Sequence, residues 1–203
     1  TSCCPAFVNM VKKHFPELME NVSTTVSPMC AVSRMIKAKD EGAITVFIGP
    51  CVAKKSESKD KSIKGNADYV LTFGEIRAIL RAKDVVLEPE EDDRQEASVF
   101  GKRFGNGGGV TAAVLESMKE MGQETDVKVA KCSGAAECKK ILTLFKFGKL
   151  PEDFIEGMAC EGGCVGGPSS YRKDRDTLIA QADSRNIEQN LAGYDMDSFS
   201  MHR

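Results

Sequence analysis

The chain has 203 residues, 41% of them apolar and 29% charged, and a formal net charge of -2. That is enough chain for one sizeable core or two small lobes, and its near-neutral balance gives no reason to expect a nucleic-acid partner. No apolar run reaches the ~18 to 20 residues that cross a bilayer, and no charged-then-apolar signal pattern opens the chain, so a soluble, cytoplasmic protein is expected. In that reducing compartment the eight cysteines are ligands, catalysts or core residues rather than structural disulfides.

The sequence opens abruptly on Thr1-Ser2-Cys3-Cys4-Pro5 and reads as cut from something longer. Pro5 suits the first turn of a helix whose apolar face is Phe7, Val8, Met10, Val11 and Phe15. Cys3 and Cys4 then sit at its N-terminus, where free N–H groups and positive partial charge are expected to lower a thiol pKa and favour thiolate or cluster. The alternative there is a simple cap with buried sulfur. Ser27-Pro28 signals the next helix, over 29–39. Residues 44–48 are predicted as a buried strand ending at Gly49-Pro50-Cys51-Val52-Ala53-Lys54. Cys51 and Lys54 therefore emerge at a strand end, where α/β folds place their ligands, although an ordinary solvated lysine is the alternative for Lys54.

Residues 67–71 read as another strand, and Thr72-x-x-Glu75 is a capping box opening a helix through Arg81. Residues 88–96 form an acidic stretch expected to be a surface loop. Phe104-Gly105-Asn106-Gly107-Gly108-Gly109 precedes a helix over 110–121, an entry that can hold phosphate or any anionic group without matching a P-loop or dinucleotide fingerprint. A strand over 127–130, a helix over 135–147 and a surface helix over 177–191 complete the reading. Alternating strands and helices predict an α/β fold with a parallel sheet.

Residues 154–158 lead into Met158-Ala159-Cys160-Glu161-Gly162-Gly163-Cys164. Thiols four apart can share one face of a helical turn, and the glycines admit a bulky ligand; a glycine-rich turn with inert sulfur is at least as common for a lone Cys-x3-Cys. Zinc is disfavoured, because paired Cys-x2-Cys spacings are missing and histidine occurs only at His14 and His202. Thiolates drawn from distant loops suit an iron–sulfur cluster better.

Taken in order, these cysteine loops resemble the three signature motifs of the iron-only (FeFe) hydrogenase catalytic domain. Residues 1–5 resemble the first, Gly49-Pro50-Cys51-x-x-Lys54-Lys55-x-Glu57 the second, and Glu156-Gly157-Met158-Ala159-Cys160-x-Gly162-Gly163-Cys164 the third; Phe104-Gly105 matches a family glycine loop. The resemblance implies that residues 1–203 are the C-terminal portion of such a domain, with parallel-sheet lobes flanked by helices and a cofactor in the cleft between them. By the same resemblance Cys4, Cys51, Cys160 and Cys164 hold a 4Fe-4S cluster, Cys164 bridging to a two-iron unit with carbonyl, cyanide and dithiolate ligands. Cys3 would carry the catalytic proton, and Lys54 would donate to a cyanide. Pro28, Met29, Gly49, Phe104, Gly105 and Met158 would wall the pocket, and Ser23 would belong to a proton route whose glutamates precede Thr1. The implied activity is reversible reduction of protons to hydrogen with electrons from ferredoxin or another relay domain. A hydrogen sensor and a non-catalytic relative used in iron–sulfur assembly are the alternatives. Gly49 stands where many relatives have methionine, Ala6-Phe7 replaces glycine-tryptophan, and residues 165–170 lack the family's longer glycine-rich ending, which marks a divergent subgroup. Cys30, Cys132 and Cys138 have no family role and are read as core sulfur.

Overall fold

The computed structural model describes residues 1–88, 98–171 and 200–203. In chain order its elements are α1 (Pro5–His14), α2 (Pro28–Lys39), β1 (Val46–Gly49), α3 (Ala53–Ser58), β2 (Tyr69–Thr72), α4 (Phe73–Ala82), α5 (Val99–Arg103), α6 (Gly109–Glu120), β3 (Val129–Ser133), α7 (Ala135–Lys146) and β4 (Phe154–Met158). The acidic stretch lies outside the described residues except for Glu88, and the helix expected over 177–191 lies wholly outside them.

The strands pair in two parallel βαβ units: β1–α3–β2, with Val46 opposite Tyr69, and β3–α7–β4, with Val129 opposite Phe154. Parallel neighbours cannot be joined by a tight hairpin, so α3 and α7 act as the crossovers. This is the expected α/β architecture of parallel-sheet lobes flanked by helices.

Helix α1 ties the units together, lying against both α7 and α3. Its Phe7, Val11 and Phe15 pack with Cys132, Cys138 and Leu142 into one core, with Cys4 at the margin. Any Cβ at Gly157 would overlap the Phe7 ring, so a glycine in β4 is what lets α1 lie flat on the strand. Local signals act as the sequence predicts. Ser27 Oγ accepts from Cys30 N at 3.5 Å, and the Thr72–Glu75 capping box is complete, with Glu75 Oε2 accepting from Thr72 N at 2.8 Å.

The glycine-rich entry of α6 does hold an anion, and the anion belongs to the chain. Glu156, on β4 and 1% exposed, accepts from Gly108 N at 2.7 Å through Oε1, and from Thr111 N at 2.9 Å and the Thr111 hydroxyl through Oε2. The carboxylate sits where the helix leaves unpaired N–H groups and positive partial charge.

Strand β1 departs from the expected buried strand over 44–48. It begins at Val46, and Ile44, Val46 and Ile48 are 72%, 49% and 46% exposed. Among the described residues only β2 pairs with it; β-branched side chains favour an extended backbone but do not by themselves cover a face. Strand β2 begins two residues later than expected, at Tyr69, and β3 likewise at Val129; just ahead of them Asp68 accepts from Thr45 N and Lys128 N donates to Asp153.

Glu156→Gln retains shape but weakens charge-assisted bonds, so it is expected to lower stability by about 2 kcal/mol, read by urea unfolding. An unchanged midpoint would contradict the anchoring role. A second expectation concerns acid. Asp68 accepts from Lys37 Nζ at 2.9 Å and from Thr45 N and Oγ1 at 2.7 and 2.9 Å, and Lys37 first, then Thr45, hold its carboxyl at about 2 against an ordinary 3.8. A depressed carboxylate contributes stability that is present above its unfolded pKa and lost as pH falls through its folded one. Melting temperature should therefore drop between pH about 4 and about 2 more steeply in the native chain than in Asp68→Asn. Parallel curves for the two proteins would rule this out.

Candidate metal centre

Four motif thiols converge from remote parts of the chain. Cys4 is the extended N-cap residue of α1, Cys51 lies between β1 and α3, Cys160 follows β4, and Cys164 opens a short 3₁₀ turn. Cys160 and Cys164 do not share a helical face, as their spacing allows. Gly162 and Gly163 take φ of 76° and 90° and turn a corner between them. The corner is clamped onto the glycine loop: Cys164 N donates to Gly105 O at 2.6 Å and Gly107 N to Gly162 O at 3.1 Å. A Cβ at Gly163 would lie 2.5 Å from Gly105 O, so the clamp closes only on glycine. Ser169 N donates to Pro50 O at 3.0 Å, which joins the Cys51 loop to the segment after Cys164.

The electrostatics place these sulfurs around one space. Burial, then the charges of Cys4 and Cys51, push the Cys164 thiol up to about 12, and the same causes in the same order raise Cys160. Cys160 and Cys164 resist ionising beside the other thiols, and iron joining them would reverse that resistance. Among the described residues no three His, Cys, Asp or Glu side chains close on a single ion. Four soft donors spread over several loops fit a multi-iron cluster.

Cys3 and Lys54 flank the thiols. Burial pushes the Cys3 thiol up to about 11, with Cys4 adding to the rise and Lys54 opposing it. The lowering expected from the helix N-terminus is therefore outweighed by desolvation, and Cys3 is a neutral thiol that keeps its proton. Lys54 is 7% exposed, not solvated. From the first turn of α3 its Nζ donates to Glu57 Oε2 at 2.7 Å and to Cys3 O at 3.5 Å.

Beside Cys3 lies a cavity of about 440 Å³ whose walls include Ser23, Pro28, Phe104, Val32 and Val114. Cys3, Ser23, Pro28 and Phe104 are thus brought together, while Gly105 backs Cys164 through its carbonyl. Met158 is buried under α7, its carbonyl accepting from Gly134 N at 2.8 Å. Met29 does not line this cavity; it packs with Ala67, Val70 and Phe47 in the core of the first unit. Gly49 is buried, and a Cβ there would meet the Phe47 ring at 2.8 Å. Cys30, Cys132 and Cys138 are buried in hydrophobic clusters, as core sulfur should be. Sequence reading assigned no role to Glu57 or Glu156, although Glu57 is one helical turn from Lys54, the spacing at which opposite charges pair.

The family model described as iron only hydrogenase large subunit, C-terminal domain, matches residues 1–168. The periplasmic [Fe] hydrogenase large subunit of Nitratidesulfovibrio vulgaris is 30% identical over 82% of this chain and 50% of its own length. Iron hydrogenase 1 of Clostridium pasteurianum is 27% identical over 82% of this chain and 37% of its own. The cytosolic Fe-S cluster assembly factor narfl of Danio rerio is 25% identical over 86% and 54%. The chain thus spans about half or less of these hydrogenases. Its fold resembles [FeFe]-hydrogenase HydA1 from Chlamydomonas reinhardtii with a TM-score of 0.61 at 21% identity, over all of this chain and 67% of that one. With Cys51 and Cys160 just past the ends of parallel strands, Cys4 at the start of α1 and a family match over residues 1–168, this chain belongs to the family of C-terminal domains of iron-only hydrogenases.

Proposed function

We propose that this chain forms the C-terminal portion of an FeFe hydrogenase catalytic domain that interconverts protons and hydrogen with electrons from ferredoxin or another relay domain in the cytoplasm. Cys4, Cys51, Cys160 and Cys164 would hold a 4Fe-4S cluster, accompanied by a two-iron unit with carbonyl, cyanide and dithiolate ligands. When bound, that group supplies the redox and hydrogen chemistry, and the protein supplies orientation and protons. The observation that carries the reading is a buried lysine, Lys54, its Nζ 3.5 Å from the backbone carbonyl of Cys3, a half-buried neutral thiol, beside four further thiols.

Each part of the chain has a task in this scheme. Cys3 keeps its proton at neutral pH, which suits a group that hands a proton inward and is reloaded from outside. The Lys54 charge offsets thiolate charge and can donate to an anionic ligand such as cyanide. Pro28, Val32, Phe104 and Val114 give the cavity apolar walls, and Ser23 at its rim would begin the outward proton route. Gly49 and Met158 stand beside the Cys51 and Cys160 loops as close backbone neighbours, and Met29 supports them from the core.

A second reading, a non-catalytic role in iron–sulfur assembly, is favoured by the similarity to narfl. Infrared spectra of the purified full-length protein separate the two. Carbonyl and cyanide bands are expected, and an iron–sulfur protein without them would support the assembly role. Replacing Cys4, Cys51, Cys160 or Cys164 by serine should lower bound iron and sulfide, because a hydroxyl is a poor iron ligand; full occupancy would refute the ligand set. Cys3→Ala should retain iron while reducing hydrogen turnover by about 100-fold or more. Loss of iron from Cys3→Ala but not from Cys4→Ala would mean that the two roles are exchanged.

A further inference from the structure

Glu57 is a buried carboxylate that the scheme above leaves unused. It is 5% exposed, its Oε2 is paired with Lys54 at 2.7 Å, and its Oε1 is buried with no protein partner. An unsatisfied carboxylate oxygen in a protein interior is costly, and water is the usual remedy where space permits. Such space exists. Glu57 lines a cavity of about 50 Å³, room for one or two water molecules, whose other walls include Asn9, Lys12, Ser56, Asp60 and Arg203. Asp60 and Lys12 reach the surface and pair at 3.4 Å. At its inner end the Lys54–Glu57 pair meets the Cys3 backbone at 3.5 Å.

We propose that Glu57, with water in this cavity, is a second proton route, running from the surface at Asp60 and Lys12 through Lys54 to the Cys3 side of the thiol cleft. The inference rests on the hydrogenase reading above. Inward transfer takes three balanced steps. The Lys54 ammonium gives one proton to the cleft and becomes an amine, the Glu57 carboxylate takes one from protonated water in the cavity, and that proton then passes from Glu57 to Lys54; the pair ends as ammonium and carboxylate, with its starting protons and charge. Nζ of Lys54 and Oε2 of Glu57 lie 2.7 Å apart, so the last transfer runs along an existing hydrogen bond. The charged or titratable groups facing Glu57 are Lys54 on α3, Lys12 on α1, Cys30 on α2, Asp60 and Arg203. This route stays within the described chain and is separate from the Ser23 rim.

The test uses full-length holoenzyme and redox-difference infrared spectra in H2O and D2O. The native protein should show a carboxylic-acid carbonyl band that shifts in D2O; Glu57→Gln should lack it and lose about tenfold in proton-reduction rate at retained iron content. Glu57→Asp, which keeps a carboxylate, should move the band rather than abolish it, and it serves where Glu57→Gln loses iron. An identical band in Glu57→Gln, or no such band in native protein that shows carbonyl and cyanide ligand bands, overturns the route alone. Absence of those ligand bands from the native protein overturns the hydrogenase reading and the route together.

Discussion

Glu156 projects from β4 into the first turn of α6 and there accepts hydrogen bonds from two backbone N–H groups and a hydroxyl. A carboxylate buried this deeply is tolerated only when such donors replace its water. Strand β4 runs on directly to Cys160, and α6 is the continuation of the glycine loop that carries Phe104 and Gly105. One ion therefore fixes the two approach segments to each other. With that distance set, Gly105 O lies where Cys164 N can reach it at 2.6 Å, and the glycine corner between the two cysteines closes against the loop.

Against this framework the thiols are a liability. Burial and the charges of Cys4 and Cys51 raise Cys160 and Cys164, and burial raises Cys3, so these three thiols resist ionising. Apolar packing supports the site from outside. Cys4 borders the cluster formed by Phe7, Val11, Phe15 and Leu142, so the packing of α1 helps to set its position. The Lys54–Glu57 pair adds a positive group close to Cys3 while its own charge is compensated one helical turn away. A buried pair of this kind adds little net stability, but it holds a charge where a flexible solvated lysine would not.

Packing also reaches the strand that leads into the Cys51 loop. The Phe47 ring occupies the place that a side chain at Gly49 would take. Glycine and phenylalanine are thus complementary within one strand. Phe47 in turn packs on Met29, Ala67 and Val70, so the end of β1 before Cys51 is anchored in the core of the first unit.

Local chemistry in the sequence determined a large part of this protein. Pro5, Ser27-Pro28 and the Thr72–Glu75 box set helix starts because caps act within one turn, and the alternation of elements set the parallel βαβ pattern. The motif thiols, Cys3 and Lys54 were visible as residue types in recognisable spacings. Tertiary structure decided what spacing cannot encode. Exposure of Val46 and Ile48 depends on what covers a strand, and separation of Cys160 from Cys164 depends on a corner held by the Gly105 loop, far earlier in the chain. The Cys3 pKa reverses its expected direction because desolvation is a property of the whole fold while the helix N-terminus is a local one. Likewise the glycine-rich entry to α6 announced an anion site in the sequence, but only the packing of β4 beside it made Glu156 its occupant.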